Sequence, residues 1–219
     1  MKKPVFGRLW APDERDSKYK IRKPKTKSIR TIRYWTDTWF WGNQQQTSEC
    51  VGYGWSHWLA NYPLKQYVSP TGIYKLAQHF DEWDGEDYEG TSVRAGAKVL
   101  AYLGFVKEYR WATKIDDVIQ TLLEIGPVVV GTSWYEGMET PDNNGLVIVT
   151  GEVRGGHCYL LTGVNTQTGL FRIKNSWGTK WGLNGRAFIR IEEFASLMSA
   201  KDSGEVCLAI ETMPEQMMR

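Results

Sequence analysis

The sequence predicts an α+β fold, and three observations carry that prediction. Helix-period apolar patterns fill the chain from Cys50 to about Ile125, β-branched runs dominate from Val128 onward, and the two kinds of segment do not alternate. A length of 219 residues, 42% hydrophobic and 24% charged, fits one large globular domain or two closely packed lobes. No apolar run reaches membrane-spanning length, and Met1–Arg8 lacks an apolar stretch of signal-peptide length, so no membrane partner and a cytoplasmic location are expected.

Residues 1–33 read as a basic N-terminal arm, with twelve Lys/Arg against three acids, while the remaining 186 residues carry the compensating negative charge. Between Lys18 and Arg33 only Ile21, Ile29 and Ile32 are apolar and Pro24 breaks any helix, so an extended segment is expected. Such an arm can lie on its own acidic body, contact an anionic partner, or plug a cleft. Residues 34–219 form the predicted domain, with a helical lobe over about 34–113 and a β lobe over about 114–212.

The aromatic run Tyr34–Trp41 reads as core and scaffold, with a stacking platform for a ligand as the sharper alternative. A helix starts at Cys50, carries Val51, Trp55, Trp58, Leu59 and Tyr62 on one face, and stops at Pro63. Ser69-Pro70 opens a second helix with Ile73, Leu76, Ala77 and Phe80 inward. Ser92 caps a third that Gly104 ends, and Asp116-Asp117 begin a fourth that stops at Gly126-Pro127. Strands are expected at Val128–Val130, Val147–Val149, the runs holding His157 and Asn175, Ala187–Ile191 and Val206–Ile210. The acidic stretch Asp81–Gly90 reads as a solvated loop. Its spacing does not fit a calcium-binding loop, and neither a metal nor a cofactor is predicted.

The chemistry centres on Gly155-Gly156-His157-Cys158 and, eighteen residues after the histidine, Asn175-Ser176-Trp177-Gly178. An imidazole entering one apolar run and an amide ending the next meet if the turn-rich loop Asn165–Gly169 closes an antiparallel hairpin. Of the three cysteines, Cys158 and Cys207 lie inside apolar runs, where a thiol is a small inert hydrophobe. Cys50 stands at a helix N-terminus, where free N–H groups favour a thiolate. His57, seven residues along the same helix, is about 10 Å from that thiol at 1.5 Å per residue and reads, like His79, as structural or surface.

Gln44, Cys50, His157, Asn175 and the run Asn-Ser-Trp-Gly-x-x-Trp-Gly occur in the order found in papain-like cysteine peptidases. Together with Gly126-Pro127 and Asn184-Gly185, the resemblance covers roughly Tyr34 to Ile210. It implies a two-lobed fold with an antiparallel sheet or barrel in the second lobe and the active site between the lobes. The implied roles are nucleophile for Cys50, base for His157, orienting amide for Asn175 and oxyanion donor for Gln44; a Cys-His-Asn set of this kind is a known variant of the catalytic triad. Gly90, Gly156 and Trp177 become candidates for substrate contact, Trp177 also shielding the His157–Asn175 bond. The expected partner is a peptide or protein substrate, with basic peptides favoured by the acids preceding Gly90.

The chain departs from the family around its cysteine. The signature Cys-Gly-Ser/Ala-Cys-Trp/Tyr is replaced by Thr47-Ser48-Glu49-Cys50-Val51, and the cysteine-to-histidine interval is 107 residues. Thr47 stands where a half-cystine is usual, so three free thiols are expected and the chain is similar to the shorter, disulfide-free bacterial and phage members. Glu49 would oppose thiolate formation if it pointed inward. The alternative reading is a catalytically silent papain-like peptide-binding module.

Overall fold

The computed structural model describes residues 5–21, 28–36, 41–61, 63–85, 87–199 and 203–211. In chain order the elements are β1 (Arg8–Leu9), β2 (Ile32–Tyr34), α1 (Cys50–Ala60), α2 (Pro70–Phe80), β3 (Thr91–Ser92) and α3 (Val93–Tyr102). There follow β4 (Val106–Trp111), α4 (Ile115–Glu124), β5 (Val128–Tyr135), β6 (Val153–Asn165), β7 (Leu170–Lys174), β8 (Arg186–Arg190), α5 (Ile191–Leu197) and β9 (Glu205–Glu211). Local chemistry explains the helix starts. The Ser69 hydroxyl accepts from Gly72 N–H with Pro70 at the first position, and the Ser92 hydroxyl accepts from Ala95 N–H.

Seven strands form one antiparallel sheet in the order β4-β9-β5-β6-β7-β8, with β2 also paired to β6. Among the described residues this sheet is open and does not close into a barrel. Val147–Val149, expected as a strand, is a connection that touches the sheet through the single bridge Leu146↔Phe188. Conversely, the apolar run from Ala187 ends as a strand at Arg190, and Ile191 turns into α5.

Side chains alternate across the sheet with period two, which gives it a core on each face. Val129 of β5, Cys158 and Leu160 of β6, and Cys207 and Ala209 of β9 pack with Trp55, Leu59, Ile73, Val93 and Leu100 from α1–α3. Val128, Val130, Tyr159, Leu161, Val206 and Leu208 face the other way, onto Leu122 of α4, Phe171, Ile173, Ile189 and Phe194 of α5. The helix carrying Cys50 therefore lies directly on the strand carrying His157.

The arm is built into this frame. Tyr19 and Ile21 exchange backbone hydrogen bonds with Trp111 at 2.8 and 2.9 Å, and β2 pairs with β6 from Ile32↔Asn165 to Tyr34↔Gly163. Asp13 and Asp16 hold the guanidinium of Arg94, itself only 3% exposed, which also meets Glu82 at 3.1 Å. At its start β1 pairs in parallel with β3. Of the aromatic run, Trp35 is buried, donates to the Leu122 carbonyl at 2.8 Å and carries Arg33 on its face, a scaffold role; Asp37–Phe40 lie outside the described residues.

Candidate active site

Cys50 is the first residue of α1 and is fully buried. Backbone N–H groups of Cys158, Gly7 and Val51 face its sulfur, which places the thiol beside β6, one residue from His157. His157 Nε2 lies 2.8 Å from Asn175 Oδ1, so the imidazole donates there and Asn175 also accepts from Ser176 N–H. This pairing fixes the tautomer that leaves Nδ1 as the ring's basic nitrogen. With the arm seated, Nδ1 has no hydrogen-bond partner among the described residues. The hairpin expected from the Asn165–Gly169 turn is β6–β7, and its register, Leu160↔Lys174, brings the two strand ends together.

An aromatic wall surrounds the imidazole. Trp134 stands edge-on at 4.8 Å, Trp177 lies tilted at 5.1 Å and Phe6 of the arm closes the remaining side edge-on at 5.7 Å. Burial pushes the His157 pKa down to about 4 against the opposing effect of its Asn175 hydrogen bond. Burial likewise pushes the Cys50 thiol up to about 11, outweighing the surrounding N–H groups and the Arg8 charge. Burial thus opposes the thiolate that the helix terminus favours. Glu49 is not responsible: its carboxylate turns away and accepts from the Thr71 hydroxyl at 2.9 Å.

Gln44 is 2% exposed, and its side chain is held at both ends. Its Oε1 accepts from the Ser176 hydroxyl at 2.5 Å, while Nε2 donates to Thr47 O at 2.8 Å and to Val5 O at 3.0 Å. A carbonyl of the arm thus occupies the amide donor for which a catalytic role is expected. The candidate contact residues meet the same segment. Gly90, at φ +104, would place a Cβ 2.7 Å from the Gly7 carbonyl oxygen, which accepts from Thr91 N–H at 2.9 Å, and a Cβ at Gly156 would overlap the Arg8 carbonyl. Trp177 has its ring 6.1 Å from Phe6.

Cys158 and Cys207 are buried in the helix-facing core, and all three cysteines are free thiols. His57 is wholly buried in α1 and His79 is exposed on α2. Three acids of the Asp81–Gly90 loop are paired with other side chains, Asp81 accepting from Tyr88 and Thr91, Glu89 from Ser48, and Glu82 pairing with Arg94 and Lys98, while Asp84 and Asp87 are exposed. Among the described residues no cluster of three or more His, Cys, Asp or Glu side chains could hold a metal, and no helix is long and apolar enough to cross a membrane. Sequence reasoning missed Trp134, Ser176 as the group that orients Gln44, and the arm residues Val5–Arg8. For Ser176 a signal existed, since it sits inside the Asn-Ser-Trp-Gly run.

Fold and site together define a class: α+β proteins in which a thiol at a helix start lies beside the strand that carries an imidazole–amide pair. The profile of the papain family of cysteine proteases matches residues 43–204, and the chain belongs to that family. An uncharacterized peptidase C1-like protein of Acanthamoeba polyphaga mimivirus is 33% identical over 134 residues, 59% of this chain; the match spans 38% of that protein's length. Xylellain, a cysteine protease from Xylella fastidiosa, shares the fold with a TM-score of 0.76 at 18% identity, covering 97% of this chain and 99% of its own. A procathepsin B from Trypanosoma congolense has a TM-score of 0.67 at 11% identity, covering 95% and 87%.

Proposed function

We propose that this chain is a cysteine peptidase that hydrolyses peptide bonds through a thioester, with the N-terminal segment Val5–Leu9 holding the cleft closed at rest. The observation that carries the reading is the 2.8 Å His157–Asn175 pair, which leaves Nδ1 as the basic nitrogen on a strand whose next backbone N–H faces the Cys50 sulfur. Once the arm leaves, water enters, the desolvation that keeps both groups neutral is relieved, and the Cys50 proton passes to His157. The thiolate adds to the substrate carbonyl carbon. The oxyanion takes the place of the Val5 carbonyl on Gln44 Nε2 and meets the Cys50 backbone N–H. Collapse breaks the C–N bond as His157 gives its proton to the leaving amine, and water, deprotonated by His157, then cleaves the thioester and restores the thiol.

In this reading Asn175 keeps the imidazole oriented, and Trp134 and Trp177 keep bulk water from the bond between them. The competing reading, a silent binding module, draws on the burial of the thiol, which pushes its pKa up; the arm residues lying over it account for that burial without loss of any catalytic group. The test is Cys50→Ala in the full chain, assayed on a peptide library alongside the parent. Turnover is expected to vanish while the thermal unfolding temperature stays within a few degrees. Cleavage that survives the substitution would end the assignment.

A further inference from the structure

The arm residue next to Gly7 reaches into the protein. The Arg8 guanidinium enters a slot at whose end lies Glu205, the first residue of β9. Nε and Nη2 stand 3.2 and 3.1 Å from Glu205 Oε1, Nη2 also donates to the Ser203 carbonyl, and the two side chains are only 3% and 9% exposed. Gly131 and Gly156 add no side chain to the slot's walls. A Cβ at Gly131 would lie 2.7 Å from Arg8 Nε, 2.9 Å from Val93 and 3.0 Å from Glu205 Oε1, and one at Gly156 would collide with the Arg8 backbone and stem. Two glycines on adjacent strands therefore hollow out a channel one side chain wide, ending in a buried carboxylate.

This slot opens onto the reaction centre. Gly7, the neighbouring residue, has its N–H on the Cys50 sulfur and its carbonyl on Thr91 N–H, and Gly156 directly precedes His157. A peptide lying across the sulfur in place of the arm would present a side chain at the same mouth. When Arg8 leaves, the Glu205 carboxylate at the end of the slot has lost its principal counter-charge, and another cation of the same shape replaces it best. Resting on the peptidase reading above, we propose that the Arg8 slot is the specificity pocket of the cleft: it takes an arginine, and less well a lysine, side chain of the substrate, and Glu205 is the residue that selects it. The arm then acts as an internal competitor that offers the pocket its preferred side chain. Preference for a basic side chain at this slot comes from this carboxylate, which lies at its end.

The experiment uses the full chain carrying Arg8→Ala, which empties the slot, and peptides that place arginine, lysine, glutamine or norleucine in turn at each of the three residues before the scissile bond. Arginine is expected to exceed norleucine in kcat/KM by at least about tenfold at one of those positions, as for a site whose buried polar group is left unpaired by the wrong ligand. Adding Glu205→Gln should bring that ratio to within about threefold of unity. Arg8→Lys, which keeps the slot charged, carries the same panel if Arg8→Ala does not fold. A readout independent of turnover is thermal unfolding of the full chain carrying Cys50→Ala and Arg8→Ala, where arginine peptides should raise Tm and norleucine peptides should not. Hydrolysis with equal rates for arginine and norleucine overturns the pocket and leaves the peptidase reading intact. An arginine-dependent rise in Tm without hydrolysis in the Arg8→Ala chain supports the pocket and removes the peptidase reading.

Discussion

His157 shows how one residue's setting converts into a measurable stability. Its folded pKa of about 4 lies below the ordinary value of 6.5, and burial among Trp134, Trp177 and Phe6 is the cause. The sign follows from proton counting. Above pH 6.5 the ring is neutral folded and unfolded and contributes nothing; as pH falls toward 4 only the unfolded chain takes the proton, so stability is lost in that window. The full difference corresponds to about 3 kcal/mol. Urea unfolding compared at pH 7 and pH 4.5 should show a loss in the parent that exceeds that of His157→Gln by about 2 kcal/mol or more; equal losses would mean that the imidazole is not desolvated. Residue identities at this scale were legible early. Gln44, Cys50, His157 and Asn175 are reactive or amide side chains at the borders of periodic runs, and such borders are visible without coordinates. Their protonation states were not, because these depend on what excludes water from them.

At the scale of elements, the helices capped by Ser69 and Ser92 and the alternating strand β8 were readable because their causes are local. Val147–Val149 was misread because a short β-branched run does not reveal whether a partner strand is free to pair with it. The arm is an element of a different kind, tied by backbone pairing at β1, at Lys20 and at β2 and by side chains between them. Its middle is clasped where Asp13 and Asp16 flank the buried Arg94, with Glu82 on the same guanidinium. A partly exposed ion pair contributes about 0.2–1 kcal/mol. Asp16→Asn should therefore speed alkylation of Cys50 by iodoacetamide at pH 7.5, by a factor of up to about five, through more frequent opening of the arm. Mass spectrometry that resolves Cys50 from Cys158 and Cys207 reads the rate, and an unchanged value would show that this clasp does not govern access.

On the scale of the whole molecule, the sheet joins what the sequence divides into a helical and a β lobe. Val129, Cys158 and Leu160 pack on α1–α3 while their neighbours Val128, Tyr159 and Leu161 pack on the opposite side, so neither core survives loss of the strands they share. Tryptophan fluorescence and far-ultraviolet circular dichroism should accordingly report one coincident thermal transition. Two separated midpoints would mean that the lobes are independently stable. The sequence by itself determined the α+β class, the helix that launches Cys50, the hairpin that brings His157 to Asn175, and the family, because periodicity, capping and the spacing of reactive residues are local properties of a chain. Only the tertiary structure decided that Phe6 lies against His157, that the Val5 carbonyl accepts from Gln44, and that Arg8 finds Glu205 across 197 residues of sequence. Contacts that distant leave no periodic trace, since they arise from the way the two cores close around one sheet.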